Sequence, residues 1–325
     1  MATVLLSAPY VLPFIDRFRA VFDHYGIDLL IPDVHERMEE EQILEYAGQF
    51  DGTICGDDRY SEKVINACLP RLKVISKWGT GIDSINTIYA ESKGVMVGNT
   101  PNAFTLPVSD SVMGYILAFA RKQPWMDRAI RAGIWEKIPG RSLSECTLGV
   151  IGVGNIGKAV LRRAKGFGMR LLGNDIISIA PDFIIENHVE MVALDELLAQ
   201  ADFISLNCDL NPTSFHIINS QSLEMVKPEV VLINTARGPL VDEPALVAAL
   251  ENGQLSGAAM DVFEVEPLPD DSPLRKMENV MLASHNSNSS PSAWERVHWN
   301  TIRNLLKGLQ IESSDLESMQ QKYAL

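Results

Sequence analysis

Residues 148–157 read LGVIGVGNIG: an apolar run breaks into glycines spaced G-x-G-x-x-G and passes into the helix-forming stretch NIGKAVLRRAKGFG. Strand, glycines and helix in that order constrain the chain more than any other segment. In an open parallel sheet, Gly152 permits the tight turn and Gly154 lets the backbone approach a pyrophosphate. Gly157 lets the helix pack closely on the strand. The helix, expected from Asn155 to about Phe167, offers free N–H groups and the positive end of its dipole to phosphates. The bare glycine pattern is equally compatible with a turn and nothing more, so its neighbours decide. The next strand, MRLLGND, ends at Asp175, eighteen residues beyond Gly157. An acidic side chain there accepts hydrogen bonds from both adenosine ribose hydroxyls and repels a 2′-phosphate. With strand, helix and acid in register, the stretch reads as a dinucleotide site that favours NAD over NADP.

The rest of the chain fits this alternation twice. At 325 residues, two domains are expected. TVLLSAP, DLLIP, GTICG, KVISKW and GVMVGNT are strand candidates. Between them lie helical stretches, FIDRFRAVFDHYG, EEEQILEYAGQF, SEKVINACL and SINTIYAESKG. Intervening helices imply parallel pairing and a covered sheet. LPVSDSVMGYILAFARKQPWMDRAIRAGIW then has room for a long helix and a second one after Pro124. From Thr147 the alternation resumes through TLGVIG, MRLLGND, DFISLN, VVLINTA, GAAMDVF and NVMLAS, six strands as in a dinucleotide-binding sheet. SAWERVHWNTIRNLLKGL returns to helix, with Trp294, Val297, Ile302, Leu305 and Leu306 near one face. The expected fold is α/β with two doubly wound parallel sheets. A Rossmann NAD-binding domain (100–292) is inserted into a discontinuous flavodoxin-like substrate-binding domain (1–99 and 293–325).

Charge and composition narrow the partners. Net charge is −14 and the densest basic run is RRAK at 162–165, so a nucleic-acid partner is not expected. No apolar run reaches the roughly 18 residues of a membrane span. The opening MATVLLSAPYVLPFI lacks a basic start and is broken by Pro9 and Pro13, so it reads as a strand and turn rather than a signal peptide. Cys55, Cys68, Cys146 and Cys208 are scattered without a C-x-x-C pair. They read as free thiols of a cytoplasmic protein, with no metal site.

Three ionisable residues stand at or just past strand ends: Arg237 after VVLINTA, Glu266 after GAAMDVFEV, and His285 after NVMLAS. Singly, they read as a surface cation, a solvated acid and a packed imidazole. Behind a dinucleotide fingerprint they supply what hydride transfer to a 2-keto acid requires. A cation grips the carboxylate and polarises the ketone, an acid protonates the forming alkoxide, and a carboxylate tunes that acid.

NTPNAFTLPVSD, LGVIGVGNIG, INTARGPLVDE and DVFEVEP, in that order, resemble the motifs of the D-isomer-specific 2-hydroxyacid dehydrogenases. From about Asp51 onward the likeness is greatest to the catalytic part of D-3-phosphoglycerate dehydrogenase. The resemblance implies that Arg237 binds substrate, Glu266 pairs with the histidine, and His285 donates the proton. It places Asn155, Ile156, Asp175, Cys208, Thr235, Ala236 and Asp261 against NAD. KWGTGID (77–83), with Lys77, Gly79, Thr80 and Gly81, resembles the loop whose N–H groups hold the substrate carboxylate. A homodimer formed through the cofactor domain is also implied.

The sequence departs from the family in several places. HNSNSS stands where the family has H-x-G-[GA]-x-T, which puts Asn286, Ser287 and Asn288 on the nicotinamide side. Cys208 and Asp209 stand where threonine and proline are frequent. Cys55 falls where phosphoglycerate enzymes place an arginine for phosphate, leaving Lys77, Lys137 or Arg59 to supply that charge. No regulatory domain is expected after residue 325, and so no serine feedback of the usual kind. The favoured reading is an NAD-dependent dehydrogenase acting on a small D-2-hydroxy acid or its 2-keto partner. Two others remain open: an NADH-responsive binding module of the corepressor kind, and a methyltransferase, which leaves Arg237, Glu266 and His285 without work.

Overall fold

The computed structural model describes residues 1–323 and divides the chain into two compact units. One comprises Met1–Phe104 together with the chain from Ser290 onward; the other is Thr105–Ser289.

The first unit is built on strands β1 (Ala2–Leu6), β2 (Ile27–Leu30), β3 (Gly52–Cys55), β4 (Val74–Lys77) and β5 (Met96–Gly98). They lie in the order β2-β1-β3-β4-β5, all parallel. This is the flavodoxin-like order, with its switch point between β1 and β3. β3 and β4 are buried along their whole length, as expected of central strands covered on both faces. One cover is the helix Pro291–Gly308, whose Val297, Trp299, Ile302, Leu305 and Leu306 are buried. It lies so close that a side chain at Gly308 would meet Val74 Cβ at 2.4 Å, and Ser76 Oγ donates to Thr301 O at 2.7 Å.

The second unit carries β6 (Thr147–Ile151), β7 (Arg170–Asn174), β8 (Val189–Met191), β9 (Phe203–Leu206), β10 (Val231–Asn234), β11 (Gly257–Met260) and β12 (Val280–Leu282). Their order is β12-β11-β10-β9-β6-β7-β8, again parallel throughout. This is the dinucleotide-binding arrangement extended by one strand, with its switch point between β6 and β9. Two apolar layers flank the sheet. Val112, Ile116 and Phe119 of helix Thr105–Arg121 join Val160 and Leu161 of helix Asn155–Gly166 in one of them. Leu197, Leu206, Leu232, Leu246 and Ile218 belong to the other.

The differences from expectation are local. The sheet has a seventh strand, β8, of three residues with only Val189 buried and an exposed Glu190 breaking the apolar run. The helix expected across EEEQILEYAGQF spans only Glu40–Leu44, because turns take over before Gln49. Gln123–Arg131 forms the second helix with Pro124 in its first turn, where a missing N–H costs nothing.

Candidate active site

The glycine turn has the geometry of a phosphate cradle. Gly152 sits at φ +90°, and a Cβ there would meet the backbone N of Cys208 at 2.4 Å. A Cβ at Gly157 would lie 2.0 Å from Gly152 O, so helix and turn touch backbone to backbone. Around Gly154 nothing lies within 4 Å of a built Cβ, which leaves open space where a pyrophosphate must approach. Gly154 is also the N-cap of the helix Asn155–Gly166 and makes no side-chain cap, so the amides of Asn155 and Ile156 are left for an anion.

Asp175 follows β7. Its Oδ2 accepts the Val153 N–H at 2.7 Å and its Oδ1 the Ile177 N–H at 3.1 Å. Each oxygen keeps a second lone pair for a ribose hydroxyl. Ile176 and Ile177 beside it are 80% and 64% exposed, an apolar shelf next to the acid. Cys208 is partly buried, and burial above all pushes its thiol up to about 11, so it stays protonated at neutral pH. Thr235 Oγ1 and Asn207 Oδ1 are buried without a hydrogen-bond partner, two polar atoms suited to a bound polar group. A dinucleotide fits this cradle.

Arg237, Glu266 and His285 follow β10, β11 and β12, three neighbouring parallel strands, at the same sheet edge as the glycine turn. His285 Nδ1 lies 3.1 Å from Glu266 Oε2, while Glu266 Oε1 accepts the Phe263 N–H at 3.0 Å. A carboxylate only accepts, so the bond assigns the Nδ1 hydrogen to the imidazole and turns Nε2 away from the carboxylate. Both side chains are largely covered, at 21% and 18% exposed.

His285 adopts φ +51°, a left-handed conformation that costs energy in a residue with a side chain. Asp261 holds it there. Asp261 O accepts the His285 N–H at 2.7 Å, and its buried carboxylate takes the N–H groups of Asn286 and Ser287 at 2.8 and 3.0 Å.

Asn234, fully buried at the end of β10, shapes the Arg237 turn. Its Oδ1 accepts from Ala236 N at 3.1 Å and its Nδ2 donates to Arg237 O at 2.8 Å. Arg237 Nη1 donates to Ala236 O at 2.7 Å. Gly238 brings this turn against the Glu266 loop: a Cβ there would lie 1.9 Å from Phe263 C and O. Sequence reasoning missed Asn234 and Gly238. The signal for the first was present, a polar residue closing the apolar run VVLI.

In the first unit, the loop after β4 is fixed by backbone and side-chain bonds. Gly79 sits at φ +123°, its carbonyl accepts the Thr100 N–H at 2.8 Å, and Thr80 Oγ1 donates to Thr100 O at 2.9 Å. Lys77 is buried, and its Nζ lies 3.0 Å from Asp57 Oδ1. Arg59 faces Glu39 at 3.8 Å, Lys137 of the second unit is exposed, and the Cys55 thiol is fully buried. Trp78 donates its indole N–H to His298 Nδ1 at 3.0 Å; burial first, and the Arg17 charge second, lower that histidine to about 4.

Residues 113–287 match the family profile described as D-isomer specific 2-hydroxyacid dehydrogenase, NAD binding domain. The chain belongs to this family. This D-2-hydroxyacid dehydrogenase is 40% identical over 243 residues to a glyoxylate reductase of Korarchaeum cryptofilum, covering 73% of each chain. It is 37% identical over 265 residues to a D-3-phosphoglycerate dehydrogenase of Methanocaldococcus jannaschii, a match covering 80% of this chain and 50% of that one. Among solved structures, D-lactate dehydrogenase from Aquifex aeolicus, complexed with NAD and lactic acid, superposes with a TM-score of 0.83. The two are 26% identical, and the match covers 98% and 97% of the two chains. The dehydrogenase is an NAD-dependent oxidoreductase acting on a CH–OH group, and its cofactor is NAD. Among its described residues no helix is long and apolar enough to cross a membrane.

Proposed function

We propose that this dehydrogenase reduces a short, unphosphorylated 2-keto acid to the D-2-hydroxy acid. The observation that carries the chemistry is the His285–Glu266 pair at the sheet edge beside the Arg237 turn. NADH, when bound, supplies the hydride. Arg237 presents a planar fork that grips the substrate carboxylate and polarises the ketone. The amides of Gly79, Thr80 and Gly81 take the remaining carboxylate charge, and Lys77 lines the same loop. His285 Nε2 gives its proton to the forming alkoxide, while Glu266 keeps Nδ1–H oriented and stabilises the imidazolium. Asp175 binds the adenosine ribose, Asn155 and Ile156 the pyrophosphate, and Cys208, Thr235 and Ala236 the rest of the cofactor. Asp261 contacts the nicotinamide side through the His285 turn that it anchors.

The unphosphorylated substrate follows from charge. Two of the three basic groups that could hold a phosphate are engaged, Lys77 with Asp57 and Arg59 with Glu39, and the third, Lys137, is exposed. The glyoxylate reductase relatives support the same choice. Initial rates of NADH oxidation test it. Glyoxylate and hydroxypyruvate should give higher kcat/KM than 3-phosphohydroxypyruvate; the reverse order refutes the substrate class.

The same reading takes the enzyme to be a cytoplasmic homodimer. Leu106, Ile130, Ile134 and Trp135 of the cofactor unit are exposed apolar side chains that a second copy would cover, and the four cysteines are free thiols. Sedimentation at micromolar concentration should give twice the chain mass, and a monomer would exclude the dimer.

A further inference from the structure

His216 ties together the two loops that carry Arg237 and Glu266. Its backbone N–H donates to Pro239 O at 2.9 Å, two residues past Arg237. Its imidazole Nε2 lies 2.6 Å from Glu264 Oε1, two residues before Glu266. Glu264 is held in turn, because its N–H donates to Glu243 Oε1 at 2.6 Å. Asn219 Nδ2 donates to His216 O at 2.8 Å, and the Phe215 ring stacks on the imidazole at 3.9 Å. His216 keeps these partners at φ +49°, a conformation that a non-glycine residue holds only where its surroundings over-determine it. Three carboxylates, those of Glu243, Glu264 and Glu266, gather here. Burial, and after it the charges of the other two, pushes the Glu243 carboxyl up. A donor on Glu264 offsets that crowding.

We infer that His216 is a positioning residue: bonded to Pro239 on one side and Glu264 on the other, it fixes the Glu266 loop against the Arg237 turn. It thereby sets the separation between the cation that grips substrate and the carboxylate that orients the proton donor. The inference rests on the roles proposed above for Arg237, Glu266 and His285. Backbones that already touch at Gly238 leave no slack between the loops, and a misplacement of about 1 Å costs on the order of 10²-fold in rate.

The test compares His216→Leu, which keeps bulk but donates nothing, with His216→Gln, whose amide reaches Glu264. Steady-state kcat for glyoxylate and NADH affinity by fluorescence are measured on each, with His285→Ala alongside. His216→Leu should lose about 10- to 100-fold in kcat while binding NADH normally, and His216→Gln should recover most of the loss. Near-native kcat in His216→Leu, or equal losses in both variants, overturns the role. Should circular dichroism show that His216→Leu does not fold, Glu264→Ala takes its place with the same expected loss, and full kcat there overturns the role equally. An inactive His285→Ala beside a fully active His216→Leu refutes the role of His216 alone. An active His285→Ala removes the proton-donor reading and this inference together.

Discussion

His285 holds a left-handed backbone because Asp261 spends both carboxylate oxygens on the amides that follow it. Asp261→Asn offers one acceptor where two are needed and turns an N–H donor toward another donor. An unsatisfied buried group costs about 1–3 kcal/mol, so the variant should melt lower and lose kcat with little change in NADH affinity. Unchanged melting and kcat would mean that the anchor is not needed. Asp175 is predicted to set cofactor choice, since its carboxylate would meet the 2′-phosphate of NADP at close range. Asp175→Ala should weaken NADH and narrow the gap to NADPH; a native protein that already prefers NADPH contradicts this. Arg237→Lys should raise KM strongly and lower kcat while NADH still binds, because an ammonium cannot reproduce the fork. Near-normal kcat/KM in that variant would place the substrate elsewhere. At this scale the sequence was most legible where an ionisable residue stands just past an apolar strand, as Asp175, Arg237 and His285 do, and less so for Glu266, six residues beyond β11. It was silent where the partner is remote, as for His216 and Glu264, 48 residues apart.

Loops at neighbouring strand ends act as units, and Gly238 is where two of them meet. Gly238→Ala would push a methyl into the Phe263 backbone and force the Arg237 and Glu266 loops apart. The expected result is a large loss of kcat with the glycine cradle, and therefore NADH binding, intact. Retained kcat would show that the loops can separate without harm. The strands β6, β7 and β9–β12 were legible because each is an apolar run bounded by turn residues. β8 was not, since its three residues, VEM, carry a charged, exposed Glu190 at the centre and form no apolar run. The glycine cradle was legible for a different reason: a Cβ at Gly157 would lie 2.0 Å from Gly152 O, so the close approach admits no side chain and the spacing itself records the geometry.

At the scale of the whole molecule, stability is tied to pH through a group remote in sequence from the glycine cradle. His298 is buried against Trp78 and lowered to about 4 from an ordinary 6.5. Between those values the unfolded chain binds a proton that the folded chain refuses. Stability is therefore full above pH 6.5 and falls as pH drops toward 4, by up to about 1.4 kcal/mol per unit from this group. His298→Asn keeps an acceptor for Trp78 and removes the titration. Its stability, lower overall, should decline less steeply through that window, and an unchanged slope would exclude His298 as the cause. Both parallel sheets could be read from strand–helix alternation, whereas the His298–Trp78 bond, 220 residues apart, could not. The central claim is that this D-2-hydroxyacid dehydrogenase reduces a 2-keto acid with His285 as proton donor, and one measurement tests it most directly: NADH oxidation with glyoxylate by the native protein and by His285→Ala. The native protein should turn over, and the variant should bind NADH as tightly while kcat falls by about 10²–10⁴-fold; a variant that keeps most of its kcat would contradict the claim.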